Sequence, residues 1–149
     1  MRLEGKVNIQ APRSKVWAYL TDAEKVSHAA PGLEKLEVVE PGKKFRVTTA
    51  VGFGSVKARF TSDVEWTSLD PPNKAGMKAH GMAPGSAVDA TSAMELADGP
   101  NGSTDLAWSA DVTISGTIAS LAARLMGSVT QKLTAAFFDS VRKDIEKEK

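Results

Sequence analysis

Residues 118–145 read IASLAARLMGSVTQKLTAAFFDSVRKDI, and this run decides the fold. Ile118, Leu121, Ala122, Leu125, Val129, Leu133, Ala136, Phe137, Val141 and Ile145 recur at three- and four-residue spacing. That is the single apolar stripe of an amphipathic helix. It extends over about 28 residues, or about 42 Å at 1.5 Å per residue. The mixed charges of 142–149 form a solvated last turn. A helix this long with one greasy side needs a broad apolar surface to lie against.

The residues upstream supply that surface. Before Gly116 the apolar period is 2, the mark of half-buried strands. Leu106, Trp108, Ala110, Val112 and Ile114 share one face, as do Val88, Ala90, Ser92, Met94 and Leu96. Ala75, Met77 and Ala79 form a third run, followed by an expected loop over 81–85. Val56, Ala58, Phe60, Val64 and Trp66 form a fourth. Residues 45–51 and 36–39 flank the turn Pro41-Gly42. Asp70-Pro71-Pro72-Asn73 and Gly99-Pro100-Asn101-Gly102 are strong breakers. At the N-terminus Leu3, Gly5, Val7 and Ile9 alternate with polar residues. Two short helices follow, one after Pro12 carrying Val16, Trp17 and Leu20, the other capped by Asp22 and stopped by Pro31-Gly32. The order predicts an α+β helix-grip fold in one domain over 1–149. A curved antiparallel sheet of about seven strands wraps the long C-terminal helix, with two short helices after the first strand.

Composition narrows the function. Nineteen Lys and Arg face 18 Asp and Glu, and a nucleic-acid binder normally carries a clear basic excess. There is no cysteine, which removes disulfides, thiolate metal sites and a thiol nucleophile, and suits a reducing cytoplasm. The longest apolar stretch, 118–126, is interrupted by Ser120 and Arg124, whereas a spanning helix needs about 20 apolar residues. The first residues turn polar at once and hold no signal-peptide core.

Small residues at inward positions point to a cavity. Ala58, Ala75, Ala79, Ala90, Ser92 and Ala110 leave room between sheet and helix. The expected walls are Phe53, Phe60, Met77, Met82, Val88, Trp108, Leu121, Leu125 and Val129, apolar as ligand sites usually are. Periodicity locates a face without measuring its void, and large neighbours filling the gaps would make these residues plain core. Phe53, in the turn Gly52-Phe53-Gly54, and Met82 are expected at loop tips beside the start of the terminal helix, as a mouth.

Side-chain chemistry is sparse. His28 lies at a helix end and His80 on an outward parity, without the spacing of a metal pair or triad. Gly52-x-Gly54 precedes a strand and so fails the context of a dinucleotide loop. Asn101-Gly102 reads as a turn, and the sequon Asn101-x-Ser103 matters only in a secreted chain. Carboxylates fall outward or in turns. No catalytic residue and no metal site is expected. On outward parities Arg46, Lys57, Arg59, Lys74, Lys78 and His80 precede Asp89, Glu95, Asp105 and Asp111. The outer face is therefore expected to be basic on one side and acidic on the other. Arg46, Lys57, Arg59 and Lys78 form a candidate partner-docking stripe on an otherwise solvated face.

Several stretches together resemble the CoxG-like family associated with carbon monoxide dehydrogenase. They are Gly5 with Ala11-Pro12, Val16-Trp17, Leu20, Asp22 and Pro31-Gly32, then Asp70-Pro71-Pro72 and the loop 81–86. Thr104-Asp105-Leu106-Ala107-Trp108, Asp111-Val112, Gly116, Ile118-Ala119 and Phe137-Phe138 complete them. The family is one branch of the START/polyketide-cyclase (SRPBCC) superfamily. The resemblance implies non-catalytic binding of a lipophilic small molecule such as an isoprenoid quinone, with no other cofactor. It also implies an accessory role, recruiting a CO-dehydrogenase-like molybdenum enzyme to the inner face of the cell membrane through peripheral contact. Many members continue into a linker and a membrane-associating tail, whereas the sequence stops at Lys149. The alternative is a cyclase or aromatase shaping a hydrophobic substrate in the same cavity. A pure interaction module would follow if the cavity were filled.

Overall fold

The structure, a computed structural model, describes residues 1–53 and 55–147, without the side chains of Phe53 and Lys147. The chain runs β1 (Arg2–Ile9), α1 (Arg13–Leu20), α2 (Ala23–Ala29), β2 (Leu33–Glu40), β3 (Lys44–Phe53) and β4 (Val56–Asp70). It continues through β5 (Lys74–Ala83), β6 (Ser86–Asp98), β7 (Thr104–Gly116) and α3 (Ala119–Lys147). The strands form one antiparallel sheet in the order β1-β7-β6-β5-β4-β3-β2. Short turns make the meander from β2 to β7. The first strand closes it by pairing with the last, Gly5 opposite Trp108 and Val7 opposite Leu106. The helix-grip order expected from the periodicities is the order found.

Local chemistry sets the helices. Asp22 Oδ1 accepts hydrogen bonds from the Glu24 and Lys25 backbone N–H groups at 3.0 and 3.2 Å, satisfying two donors that the first turn of α2 leaves unpaired. Asn101, whose short polar side chain tolerates the left-handed region, sits there at φ 58° in the β6–β7 connection.

Two parts of the sequence reading are corrected. The expected loop 81–85 is mostly strand, because β5 keeps pairing with β6 as far as Ala83 opposite Ser86, leaving Pro84-Gly85 as the turn. On α3, Ala136 is exposed. At 3.6 residues per turn it lies about 100° from Phe137, on the flank the sheet does not reach.

The helix meets the sheet in two packed clusters. At its C-terminal end Val141 and Ile145 join Ile9, Val16, Tyr19, Leu20, Leu96 and Leu106 of β1, α1, β6 and β7. The Tyr19 hydroxyl donates to Asp144 at 2.6 Å, and Arg142 Nε donates to the Asn8 carbonyl at 3.2 Å. Those bonds fasten α1 and β1 to the helix. At its N-terminal end Ala122 packs with Phe60, flanked by Ala58, Val88, Ile114, Ile118, Leu121, Leu125 and Val129. The β5–β6 turn holds that end through Thr117 N–H to the Gly85 carbonyl at 2.9 Å.

Candidate ligand-binding site

Beside the C-terminal cluster the inward side of the sheet carries small and half-buried residues. Register lines up Trp66, Met77, Ser92 and Ala110 across β4 to β7, and beside them Ala75, Met94 and Trp108. Cross-strand partners share a face, so these side chains converge on one space. There all of them but Ala110 line an apolar pocket of about 240 Å³. Leu20 and Val26 close it from α1 and α2, and Leu106, Phe137 and Phe138 close it from β7 and α3. The two phenylalanine rings meet edge to face, centroids 5.1 Å apart, a favoured aromatic geometry that holds their orientation. Trp66, Met77, Met94 and Trp108 are only half-buried although they face inward. They border space rather than packed atoms. No ionisable side chain lines the pocket; its side-chain polar groups are serine hydroxyls and indole N–H groups.

The residues singled out from sequence divide into several groups. Met77 and Trp108 line this pocket. Ala58, Phe60, Val88, Leu121, Leu125 and Val129 belong to the N-terminal cluster and do not line this pocket. Ala79, Ala90 and Ala110 are half-buried on the inward parity, with Ala79 opposite Ala90. Met82 is a correction: extension of β5 through it turns its side chain outward, 59% exposed opposite Thr61. The Phe53 side chain and Gly54 lie outside the described residues. Sequence reasoning placed Trp66, Met94, Leu106 and Phe137 on apolar faces without assigning them to the site, and had no means of docking Leu20 and Val26 against it. The Asp22 cap, which orients α2, was the one local signal for Val26.

The outer face departs from the expected division of charge. Arg46 bonds Asp63 at 3.0 Å, and Lys78 bonds Glu65 at 2.8 Å. Arg59 grips Glu34 through two contacts of 2.6 and 3.2 Å. His80 Nδ1 lies 2.5 Å from Asp89. Asp63 and Glu65 share the outward parity of β4 with Lys57 and Arg59, so that strand mixes both signs instead of being basic. The hydrogen bond from Lys78 holds the Glu65 carboxyl below its ordinary pKa, and Arg59 does the same to Glu34. Arg46 and Lys78 also border an outer groove of about 710 Å³, together with Asp63, His80 and Asp89. Neither sign dominates there. Such exposed pairs contribute little stability.

A seven-stranded antiparallel sheet gripping one long helix around an apolar pocket defines a START-type helix-grip domain. Similar solved structures agree on the fold. A conserved protein from Geobacillus kaustophilus is 23% identical with a TM-score of 0.91, the match covering 99% of this chain and 96% of that one. The ZhuI aromatase/cyclase from Streptomyces sp. R1128 is 20% identical at a TM-score of 0.75, covering 98% and 93%. A START superfamily protein from Mycobacterium smegmatis is 9% identical at 0.75, covering 99% of each chain. No curated protein matches the chain. The family described as the carbon monoxide dehydrogenase subunit CoxG matches residues 5–146, and the chain belongs to that family.

Proposed function

We propose that this protein holds a lipophilic small molecule, an isoprenoid quinone or similar lipid, in the pocket between the sheet and α3. The observation that carries the reading is an apolar pocket, free of ionisable groups, kept open beside the packed C-terminal cluster. General acid–base or nucleophilic catalysis needs a titratable or activated group within reach of the ligand. This lining offers burial and shape instead. The family points to the setting: an accessory protein that couples a CO-dehydrogenase-like molybdenum enzyme to the membrane by carrying the ligand between them. No described helix is long and apolar enough to cross a membrane, so contact in this proposal is peripheral.

A cyclase would use the same pocket to fold a reactive substrate, and the likeness to an aromatase/cyclase supports the fold for either role. The two are separated by what leaves the pocket. Native mass spectrometry after incubation with a short-chain quinone should show one added mass per chain, and the ligand should be recovered unchanged. Failure to retain any quinone would overturn the carrier reading, and recovery of a ring-closed product from a polyketide would favour the cyclase.

A further inference from the structure

The apolar pocket has a neighbour. A second groove of about 440 Å³ lies between the edge strand β1 and α3, and it shares Trp108 and Phe138 with the pocket. These two rings are the partition. Gly5 fixes one of them. It pairs directly with Trp108, so a side chain at position 5 would occupy the inner face beside the indole. A Cβ there would fall 2.8 Å from Nε1 and 2.9 Å from both Cε2 and Cζ2. The indole therefore lies in the slot left by the glycine, its nitrogen edge over β1. Among the described residues, none accepts a hydrogen bond from that N–H.

We propose that the ligand is amphipathic: its apolar part fills the pocket, and an uncharged, oxygen-bearing head lies in the β1–α3 groove past Trp108. The proposal rests on the apolar-pocket reading above and adds where the head goes and what it is. Size argues for it. The pocket alone, at about 240 Å³, falls below the roughly 300–1,000 Å³ usual for ligand sites. Joined to the groove it comes within that range. Polarity argues for it as well. The pocket is apolar, whereas the α3 wall of the groove carries Thr130, Gln131 and Thr134. The Thr134 hydroxyl donates to the Thr130 carbonyl at 2.8 Å, leaving its oxygen as an acceptor, and Gln131 is exposed with both a donor and an acceptor.

Charge selects the head. Lys6 and Arg142 are balanced along the groove by Glu4 and Asp139, and Arg142 is already engaged by Asp139 at 3.5 Å and by the Asn8 carbonyl. The lining is neutral overall and so gives a carboxylate or phosphate no net attraction, while the indole, amide and hydroxyls suit carbonyl or hydroxyl oxygens. The far end of the groove stays open because α3 presents Gly127 there, with nothing within 4 Å of where its Cβ would stand. Glycine is unfavourable in a helix interior, so an open site rather than helix stability accounts for it.

The test uses the whole chain and three probes: a decyl-substituted benzoquinone, a head-free alkylbenzene, and decanoate. Gly127→Leu improves helix propensity and fills only the groove. It should weaken the quinone about tenfold, the equivalent of about one lost hydrogen bond, and leave the alkylbenzene unchanged. Gln131→Leu, at an exposed position, should repeat the pattern more weakly and guards against a misfolded first variant. Decanoate should bind the parent protein more weakly than the quinone. Equal losses for quinone and alkylbenzene, no loss for either, or preference for decanoate would overturn the groove as a head site. Alkylbenzene that fails to bind the parent protein would overturn the pocket itself, and the groove proposal with it.

Discussion

The two halves of α3 use the same amphipathic pattern to different ends. From Val141 onward the helix packs into a solid cluster, where Ile9, Val16, Val141 and Ile145 have no solvent exposure at all. Towards its start, Ala122 and Phe60 are the buried centre and most neighbours are only half-buried. Where Leu96 fills the sheet at the solid end, Ala75 and Ser92 leave room for the pocket, whose helix side is Phe137 and Phe138. Stability and binding thereby lie side by side, since Leu20, Leu106, Phe137 and Phe138 border both the solid cluster and the pocket. Val141 and Ile145 anchor the grip, and the pocket beside them can stay hollow without unfolding the domain.

The strongest way to break this contrast is to truncate both regions. Ile145→Ala removes a fully buried side chain and should cost about 2–5 kcal/mol in a denaturant titration. Met77→Ala, at the pocket wall, should cost under about 1 kcal/mol, because the methionine already borders space. Equal costs would mean that no hollow exists. The next test is the bond that ties α1 to the solid end. Tyr19→Phe removes the hydroxyl donated to Asp144 and should cost about 1–2 kcal/mol, with binding of hydrophobic probes intact. Filling the hollow comes third. Ser92→Leu should change stability by less than about 1 kcal/mol, against the roughly 1–3 kcal/mol of an overpacked core, while blocking ligand uptake.

Acid titration gives the smallest effect. Glu34 and Glu65 have carboxyl pKa values lowered by Arg59 and Lys78. Their contribution is present above the ordinary glutamate pKa and is lost as pH falls through the lowered values. Both groups are exposed, so high salt should erase most of the dependence. A stability slope in that window that ignores salt would contradict the assignment.

The fold was legible because its signals are local. The switch from period 2 to 3.6 at Gly116, the Asp22 cap and the Pro and Gly breakers each act within a few residues. The pocket was legible only in part. Parity identified Met77 and Trp108 as inward, but the end of β5 depended on pairing with β6, and one misplaced loop sent Met82 to the wrong side. Leu20 and Val26 reach the site through docking of α1 and α2, which no local pattern encodes. Charge was misread for a related reason. Cross-strand pairs such as Arg46 with Asp63 depend on register, and omitting Asp63 and Glu65 made a mixed strand look basic.

The central claim, an accessible apolar pocket bordered by Trp66 and Trp108, is tested most directly by tryptophan fluorescence during titration with a short-chain quinone, an efficient electron-accepting quencher. Emission should fall saturably with one equivalent per chain, the decrease should shrink in Trp66→Phe and Trp108→Phe, and Ser92→Leu should abolish it. Quenching that never saturates, or that persists unchanged in Ser92→Leu, would contradict the pocket.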